Sequence, residues 1–322
     1  MEKQLFVKEI LPGHSFEQMA LVKRKSLLTA KNGKPYLAMV VMDQSGEVDV
    51  KVWDDATGVS LRFEEGDVVA IAGKTQEFQG KIQLIVDRLS LVPKDQVNPA
   101  HFLPQSKENI EELTLKIRER FERFKNHYLR QLLTSILDDP EFLRLFKKAP
   151  AAMSMHHAFV GGLVQHISEL LDLIDAVCPE FPFVDREKLL AGGFFHDIGK
   201  VYELSSDTSF NYTTAGKLIG HITMGVELIG AKTALIEGFP KDLAMELKHF
   251  VLSHHGEYAF GSPKLPSTVE AYLLHSLDNL SSKMARLKED VIDNRLVNDW
   301  SPFIKMFQRD FYRPREVSAK GN

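Results

Sequence analysis

The stretch Leu189-Leu190-Ala191-Gly192-Gly193-Phe194-Phe195-His196-Asp197-Ile198-Gly199-Lys200 decides how this chain is read. Its first seven residues are apolar and read as a helix; an imidazole and a carboxylate then stand side by side at its end. Upstream, His166 follows Gly161-Gly162-Leu163-Val164-Gln165, on a helix whose apolar face includes Leu163, Ile167 and Leu170. Downstream come His221, then His254-His255, then Asp278 in Leu273-Leu274-His275-Ser276-Leu277-Asp278, mid-helix among apolar neighbours. Five of the twelve histidines of the chain fall in this set.

These residues span more than a hundred positions, so only a folded helical bundle brings them together. Imidazole and carboxylate donors suit divalent transition metals, and a carboxylate can bridge two of them. Adjacent His and Asp at a helix end let one residue cap one metal while the other reaches between two. Two metals about 3.5–4 Å apart stabilise both the attacking and the leaving oxygen of a phosphoester. No cysteine joins the set, which is therefore not that of a closed structural zinc site. A lone buried histidine is usually structural, and His14, His101, His127 and His249 keep that default. His275 shares a helix face with Asp278 three residues on and is read, with His157, as supporting the ligands from behind.

Outward from this core, the period of the sequence changes twice. In residues 1–93, Val48, Val50 and Val52 alternate with Asp49, Lys51 and Trp53, as in a half-buried strand. Asp43-Gln44-Ser45-Gly46 reads as a turn after a partner strand, Pro35 to Met42. Asp67 to Ala72 and Ile82 to Val86 read as further strands, with Phe78-Gln79-Gly80-Lys81 as a hairpin loop. About five short strands in this length predict a small barrel. Tyr36, Trp53, Phe63 and Phe78 are its candidate base-stacking residues, Phe63 being better read as core. Lys23-Arg24-Lys25 reads as a solvated basic loop. Pro93, Pro99 and Pro104 punctuate a linker over 94–106. From Ser106, a good N-cap, helical spacing continues to about residue 312, and residues 313–322 read as a loose tail. The expected fold is thus two-domain: a small N-terminal β-barrel, then an all-α bundle over 107–312.

Composition narrows the setting. No apolar stretch reaches the roughly 20 residues of a membrane span, and the N-terminus has no signal-peptide segment. The single cysteine, Cys178, fits a reducing compartment, so the cytoplasm is the expected location. A net charge of −4 argues against coating nucleic acid by bulk electrostatics but leaves room for a narrow binding groove.

The ordered series His…His-Asp…His…His-His…Asp resembles the HD superfamily of phosphohydrolases in its two-metal version. The surroundings are more specific. His156-His157, Gly161-Gly162, the run His196 to Lys200, Ser253 to Gly256, Gly261-Ser262-Pro263-Lys264 and Leu274 to Leu280 are similar to the YhaM-type 3′-to-5′ exoribonucleases. That family also carries an N-terminal OB-fold, so the resemblance covers nearly the whole chain. It implies that His166, His196, Asp197 and Asp278 hold one metal. Asp197 would bridge to a second held by His221, His254 and His255. Manganese is the metal implied, with iron or cobalt chemically reasonable. Lys200 would face the scissile phosphate as a catalytic residue beside Asp197, and Lys264, Trp53 and Tyr36 would contact substrate. The implied activity is hydrolysis of single-stranded RNA, with DNA as a further substrate, to nucleoside 5′-monophosphates by a homo-oligomer. Two alternatives stay open on the residues alone. One is a small-nucleotide phosphohydrolase for cyclic dinucleotides, dNTPs or alarmones, although no GYP element follows the dyad. The other is a non-catalytic RNA-binding protein.

Overall fold

The computed structural model describes residues 7–78, 80–98, 101–153, 157–205, 210–293 and 299–313. The first half is the expected barrel. Strands β1 (Ser15–Thr29), β2 (Pro35–Asp43), β3 (Gly46–Val52), β4 (Val68–Phe78) and β5 (Lys81–Leu91) close in the order β1-β2-β3-β5-β4. Pairing is antiparallel except between β3 and β5. Alternation in β2 and β3 turns Leu37, Met39 and Val41, and Val48, Val50 and Val52, into the barrel core. Helix α1 (Ala56–Ser60) lies between β3 and β4 and buries Ala56 and Val59.

One basic segment departs from its reading. Lys23-Arg24-Lys25 is not a loop: it lies in β1, where the register shifts between Val22 and Arg24. The Lys25 ammonium donates to the carbonyls of Ser60 (2.9 Å) and Phe63, and sits 5.1 Å from the Phe63 ring centroid. Phe63 is buried and belongs to the core.

The stretch expected as a linker is packed. Lys94–Gln96 forms a 3₁₀ turn, and Phe102 and Leu103 are buried against Leu21, Val68 and Val92 in a small core of their own. Val160 N donates to Pro104 O (2.9 Å) and Ser106 N to Val160 O (3.2 Å), tying this segment to the helical half. Pro99 and Gln79 lie outside the described residues. Ser106 is not the cap of the next helix. That role falls to Asn109, whose side chain accepts from the backbone N–H groups of Glu111 and Glu112.

The second half comprises α2 (Ile110–Glu122), α3 (His127–Leu137), α4 (Pro140–Phe146), α5 (Gly162–Val177), α6 (Arg186–Phe195), α7 (Lys200–Glu203), α8 (Thr214–Ile219), α9 (His221–Ala234), α10 (Lys241–Ser253) and α11 (Val269–Leu287). Two elements depart from an all-α reading, the two-residue strands β6 (Leu204–Ser205) and β7 (Asn211–Tyr212). Helix was expected to about residue 312. Instead α11 runs into a π-helical turn, Lys288–Asp293, and residues 299–313 fold back through the bridges Trp300–Tyr312 and Ile304–Arg309. Of the expected tail, residues 314–322 lie outside the described residues. No helix among the described residues is long and apolar enough to cross a membrane.

The packing follows from α6. Leu189 to Phe195 are all buried, so past its polar first turn this helix has no solvent face and must run into the middle of the bundle. Phe194 meets Phe121 and Phe146 edge-to-face, with ring centroids 5.3 and 5.8 Å apart. The residues that follow its last turn are thereby delivered to the centre of the protein.

A cap fixes one flank of this bundle. Asp139 accepts from Glu141 N (3.1 Å) and Phe142 N (3.2 Å) at the start of α4 and from Lys232 Nζ (2.9 Å) at the end of α9. The Lys232 hydrogen bond, then that of Phe142, holds the Asp139 carboxyl below its ordinary range. A carboxyl whose pKa is lower folded than unfolded stabilises the fold above its unfolded pKa, and that contribution is lost on acidification. Asp139→Ala should therefore cost about 1 kcal/mol at neutral pH. The deficit should shrink below about pH 4, as read by denaturant unfolding at the two pH values.

Candidate metal centre

Where α6 ends, His196 takes the cap position and Asp197 follows, both buried. Asp197 is the hub of two groups of donors. Its Oδ2 lies 3.3 Å from His196 Nε2 and 3.8 Å from His166 Nε2, which α5 brings from one side. Asp278 Oδ1, from mid-α11, lies 3.3 Å from His166 Nε2 and 3.8 Å from His196 Nε2. The other oxygen, Asp197 Oδ1, faces His254 Nε2 at 3.5 Å and His221 Nε2 at 3.6 Å. His255 joins that second group, whose three histidines each bring a ligand atom within 4.8 Å of the others. All seven residues picked out in the sequence thus converge, delivered by α5, the end of α6, the start of α9, the end of α10 and the middle of α11.

The imidazoles are oriented from behind. His196 Nδ1 lies 2.8 Å from Gly193 O and His254 Nδ1 2.8 Å from Val251 O, so each Nδ1–H donates and each Nε2 turns a lone pair inward. His221 Nδ1 lies 3.1 Å from Glu203 Oε1, which also accepts from His221 N at 3.0 Å. Glu203, at the end of α7, is the functional residue that the sequence reading missed. It belongs to no motif; its one signal is a lone carboxylate in the otherwise apolar run after Lys200. The neighbouring Gly199 allows the approach: a Cβ there would lie 1.9 Å from His221 O.

Burial and charge set the protonation states. Burial lowers the pKa of His166 and His254 against the pull of their carboxylates, and burial with the His254 charge pushes His255 down to about 4. For His196 burial works the same way, but the Asp197 and Asp278 carboxylates and the Gly193 carbonyl together raise the pKa. Burial would raise Asp197, yet Lys200 and His196 hold it well below the carboxylate range. Burial opposes ionisation of Asp278 likewise, yet the His166 hydrogen bond and then His196 lower it.

The donor set passes a test for a divalent ion. Asp197 Oδ1, His221 Nε2, His254 Nε2 and His255 Nδ1 are buried without a hydrogen-bond partner. Buried polar atoms nearly always have partners, so one carboxylate oxygen and three imidazole nitrogens without one need an electrophile that they can share.

The remaining candidates divide. Lys200 Nζ donates to Asp197 Oδ2 (2.7 Å) and Ala151 O (2.8 Å), beside the cluster. His275 Nδ1 lies 2.8 Å from His254 O and braces the end of α10. His157 pairs with Glu169 (3.2 Å), its ring 5.6 Å from that of His166; His156 lies outside the described residues. Lys264 does not join the cluster: its side chain lines a separate groove beside α10. Far from the metal residues in sequence, Tyr36 and Trp53 stack on the barrel surface with centroids 4.8 Å apart. Lys51 Nζ lies 5.7 Å from the Tyr36 ring, 6.0 Å from Trp53 and 5.3 Å from Phe78. Trp53 and Phe78 are exposed.

Comparison with known proteins agrees with both halves. The family described as OB-fold nucleic acid binding domain matches residues 19–92, and that described as HD domain matches residues 159–283. The chain is 35% identical over 316 residues, 98% of its length and 99% of the relative's, to the 3′-5′ exoribonuclease YhaM of Listeria welshimeri serovar 6b. Among solved structures, the second OB-fold domain of replication protein A from Methanococcus maripaludis is 17% identical, covering 28% of this chain and 95% of its own, with a TM-score of 0.24. The SSB domain of a Synechococcus sp. protein is 23% identical, covering 23% of this chain and 91% of its own, with a TM-score of 0.22.

Glu203 generates a test of the second donor group. Removing its charge while keeping its shape should weaken the acceptor that orients the His221 ring. Glu203→Gln is expected to weaken metal binding to the His221, His254 and His255 group by about 10–100-fold. Elemental analysis after dialysis against a graded metal buffer should show this as loss of one class of bound metal. Wild-type metal content across the gradient would remove Glu203 from this role.

Proposed function

Since this chain belongs to the YhaM 3′-5′ exoribonuclease family, we propose that it is a metal-dependent hydrolase that removes nucleotides from the 3′ end of single-stranded RNA, and also of DNA, as 5′-monophosphates. The observation that carries this reading is the convergence on Asp197 of His166 and His196 at one oxygen and, at the other, of His221 and His254, whose Nε2 atoms lack a hydrogen-bond partner. His166, His196, Asp197 and Asp278 would hold one ion and His221, His254 and His255 a second, with Asp197 shared. Manganese is the metal that the family resemblance favours, and the imidazole-rich set without thiolates also suits iron or cobalt. When bound, such a pair supplies Lewis acidity to a phosphoester and lowers the pKa of water.

The protein's own residues do the rest. Burial of the cluster excludes bulk water and strengthens every charge interaction within it. Lys200 spends two of its three N–H donors on Asp197 and Ala151. Its ammonium group stands beside the carboxylate, where negative charge grows on the phosphoryl oxygens during displacement. The barrel would hold the strand. Tyr36, Trp53 and Phe78 with Lys51 form an exposed aromatic and cationic face, partly on β2 and β3, able to stack bases of any sequence. The single described cysteine, Cys178, is buried and free, which suits the cytoplasm.

Single-stranded RNA labelled at its 5′ end should yield a ladder of progressively shorter labelled products, and label at the 3′ end should appear at once as mononucleotide. Release of mononucleotide from the 5′ end instead would overturn the direction, and intact RNA in the presence of manganese would overturn the activity. Lys200→Met tests the charge. Because an ammonium is no metal ligand, metal content should stay at the wild-type level while kcat falls by about 10²–10³. With a transition-state role, kcat and kcat/KM fall together. Wild-type turnover in the fully metallated variant would leave Lys200 a structural partner of Asp197.

A further inference from the structure

Two large concave surfaces lie outside the metal centre, and their charges differ. The one between the barrel and the helices, about 920 Å³, is lined by Glu65, Glu169, Glu289 and Asp293 against Lys288, while its Lys23 is already paired with Glu47. A polyphosphate chain is repelled there. The other, about 840 Å³, runs along α10. Lys241, Met245, Lys248 and Leu252 recur at helical spacing on its α10 wall, a run of about 17 Å at 1.5 Å per residue. Tyr258 and Lys264 stand on the facing loop. No carboxylate lines this groove. None of the three lysines has an ion-pair partner among the described residues, whereas Lys188, Lys200 and Lys232 nearby are all paired. For a chain of net charge −4, a cavity with three unpaired ammonium groups and no acid is a local inversion of sign.

The facing loop is fastened to the last turn of α10. Ser262 Oγ donates to Lys264 O (2.7 Å) and lies 3.2 Å from Leu252 O, and Lys264 N donates to Leu252 O (3.2 Å). Gly261 takes φ 83°, a left-handed conformation, and a Cβ on it would come 3.9 Å from His255 Nδ1. The same short loop therefore borders His255 on one side and carries Tyr258, 66% exposed, into the groove on the other. An aromatic ring exposed to that extent on an anchored loop is a stacking platform.

We propose that the α10 groove is a second RNA-binding surface, holding a short stretch of single strand with its phosphates on Lys241, Lys248 and Lys264 and a base on Tyr258. This rests on the exoribonuclease reading and extends it. The barrel face and the α10 groove then grip one strand at two places.

Binding of an unstructured single-stranded RNA homopolymer to the full-length, metal-free protein tests this over a salt series. Each ammonium that no longer neutralises a phosphate should shallow the slope of log K against log salt by about 0.7, so Lys241→Gln with Lys248→Gln should reduce it by about 1.4. Tyr258→Ala should raise Kd about tenfold, and Tyr258→Phe should retain wild-type affinity. An unchanged slope in a double variant with the wild-type melting temperature, or an unchanged Kd for Tyr258→Ala, overturns the proposal. Cleavage by the unmodified protein is measured separately with manganese. Its failure would sink the exoribonuclease reading, while the salt slopes still report whether the groove binds RNA.

Discussion

A carboxylate in the middle of a protein is expensive to ionise, and Asp197 is ionised there. An isolated buried carboxyl would take up a proton instead. Here the Lys200 ammonium at 2.7 Å and the surrounding imidazoles keep it charged. The rest of the helical half can be understood as what it takes to assemble that environment. Helix α6 is apolar on every side, so its last residues come out at the centre, and four other segments must each present a donor to the same point. Their ends are pinned locally. Side-chain caps at Asn109, Asn126, Asp139, Asp185, Thr213 and Thr268 start six of the helices, and aromatic packing around Phe194 sets their spacing.

The barrel is attached to this bundle more firmly than a string of prolines suggests. Phe102 and Leu103 are buried against strand residues Leu21 and Val68, and the next residues hydrogen-bond to Val160. Ser106 Oγ then donates to Gln165 Oε1 (2.7 Å), next in sequence to His166. The segment between the halves is therefore a spacer of fixed length. Whatever the stacked pair Tyr36 and Trp53 holds is kept at a set distance from the metal residues.

What could be read in the sequence follows from what each feature depends on. The seven donors were legible because their chemistry demands fixed residue types in fixed order, and the apolar run before His196 placed them on a buried helix. Strands β2 and β3 were legible because one face is core and the other solvent. Glu203 was not, because its role arises only when α7 turns back to meet the start of α9, a relation without local signature. Strand β1 hid its identity behind Lys23-Arg24-Lys25, whose middle coincides with a register shift. Ser106 looked like a cap, but its hydroxyl accepts from Glu108 N outside the helix, leaving Asn109 to start α2. The helical spacing read beyond Asp293 failed for a different reason. Trp300, Phe303, Met306 and Tyr312 stay exposed, so no burial enforces a helix there.

Gly199 has a consequence for how the site behaves before any ligand arrives. Because its missing side chain lets the backbone after Asp197 lie directly on His221 O, the dyad and the start of α9 form a single piece, further locked by Glu203. Neither can shift without the other. The conformational entropy of arranging these donors is thus given up when the chain folds and need not be given up again when an ion binds. The same rigidity makes the geometry intolerant: a methyl group at position 199 would change the angle at which His221 meets Asp197, and with it which ions fit between them.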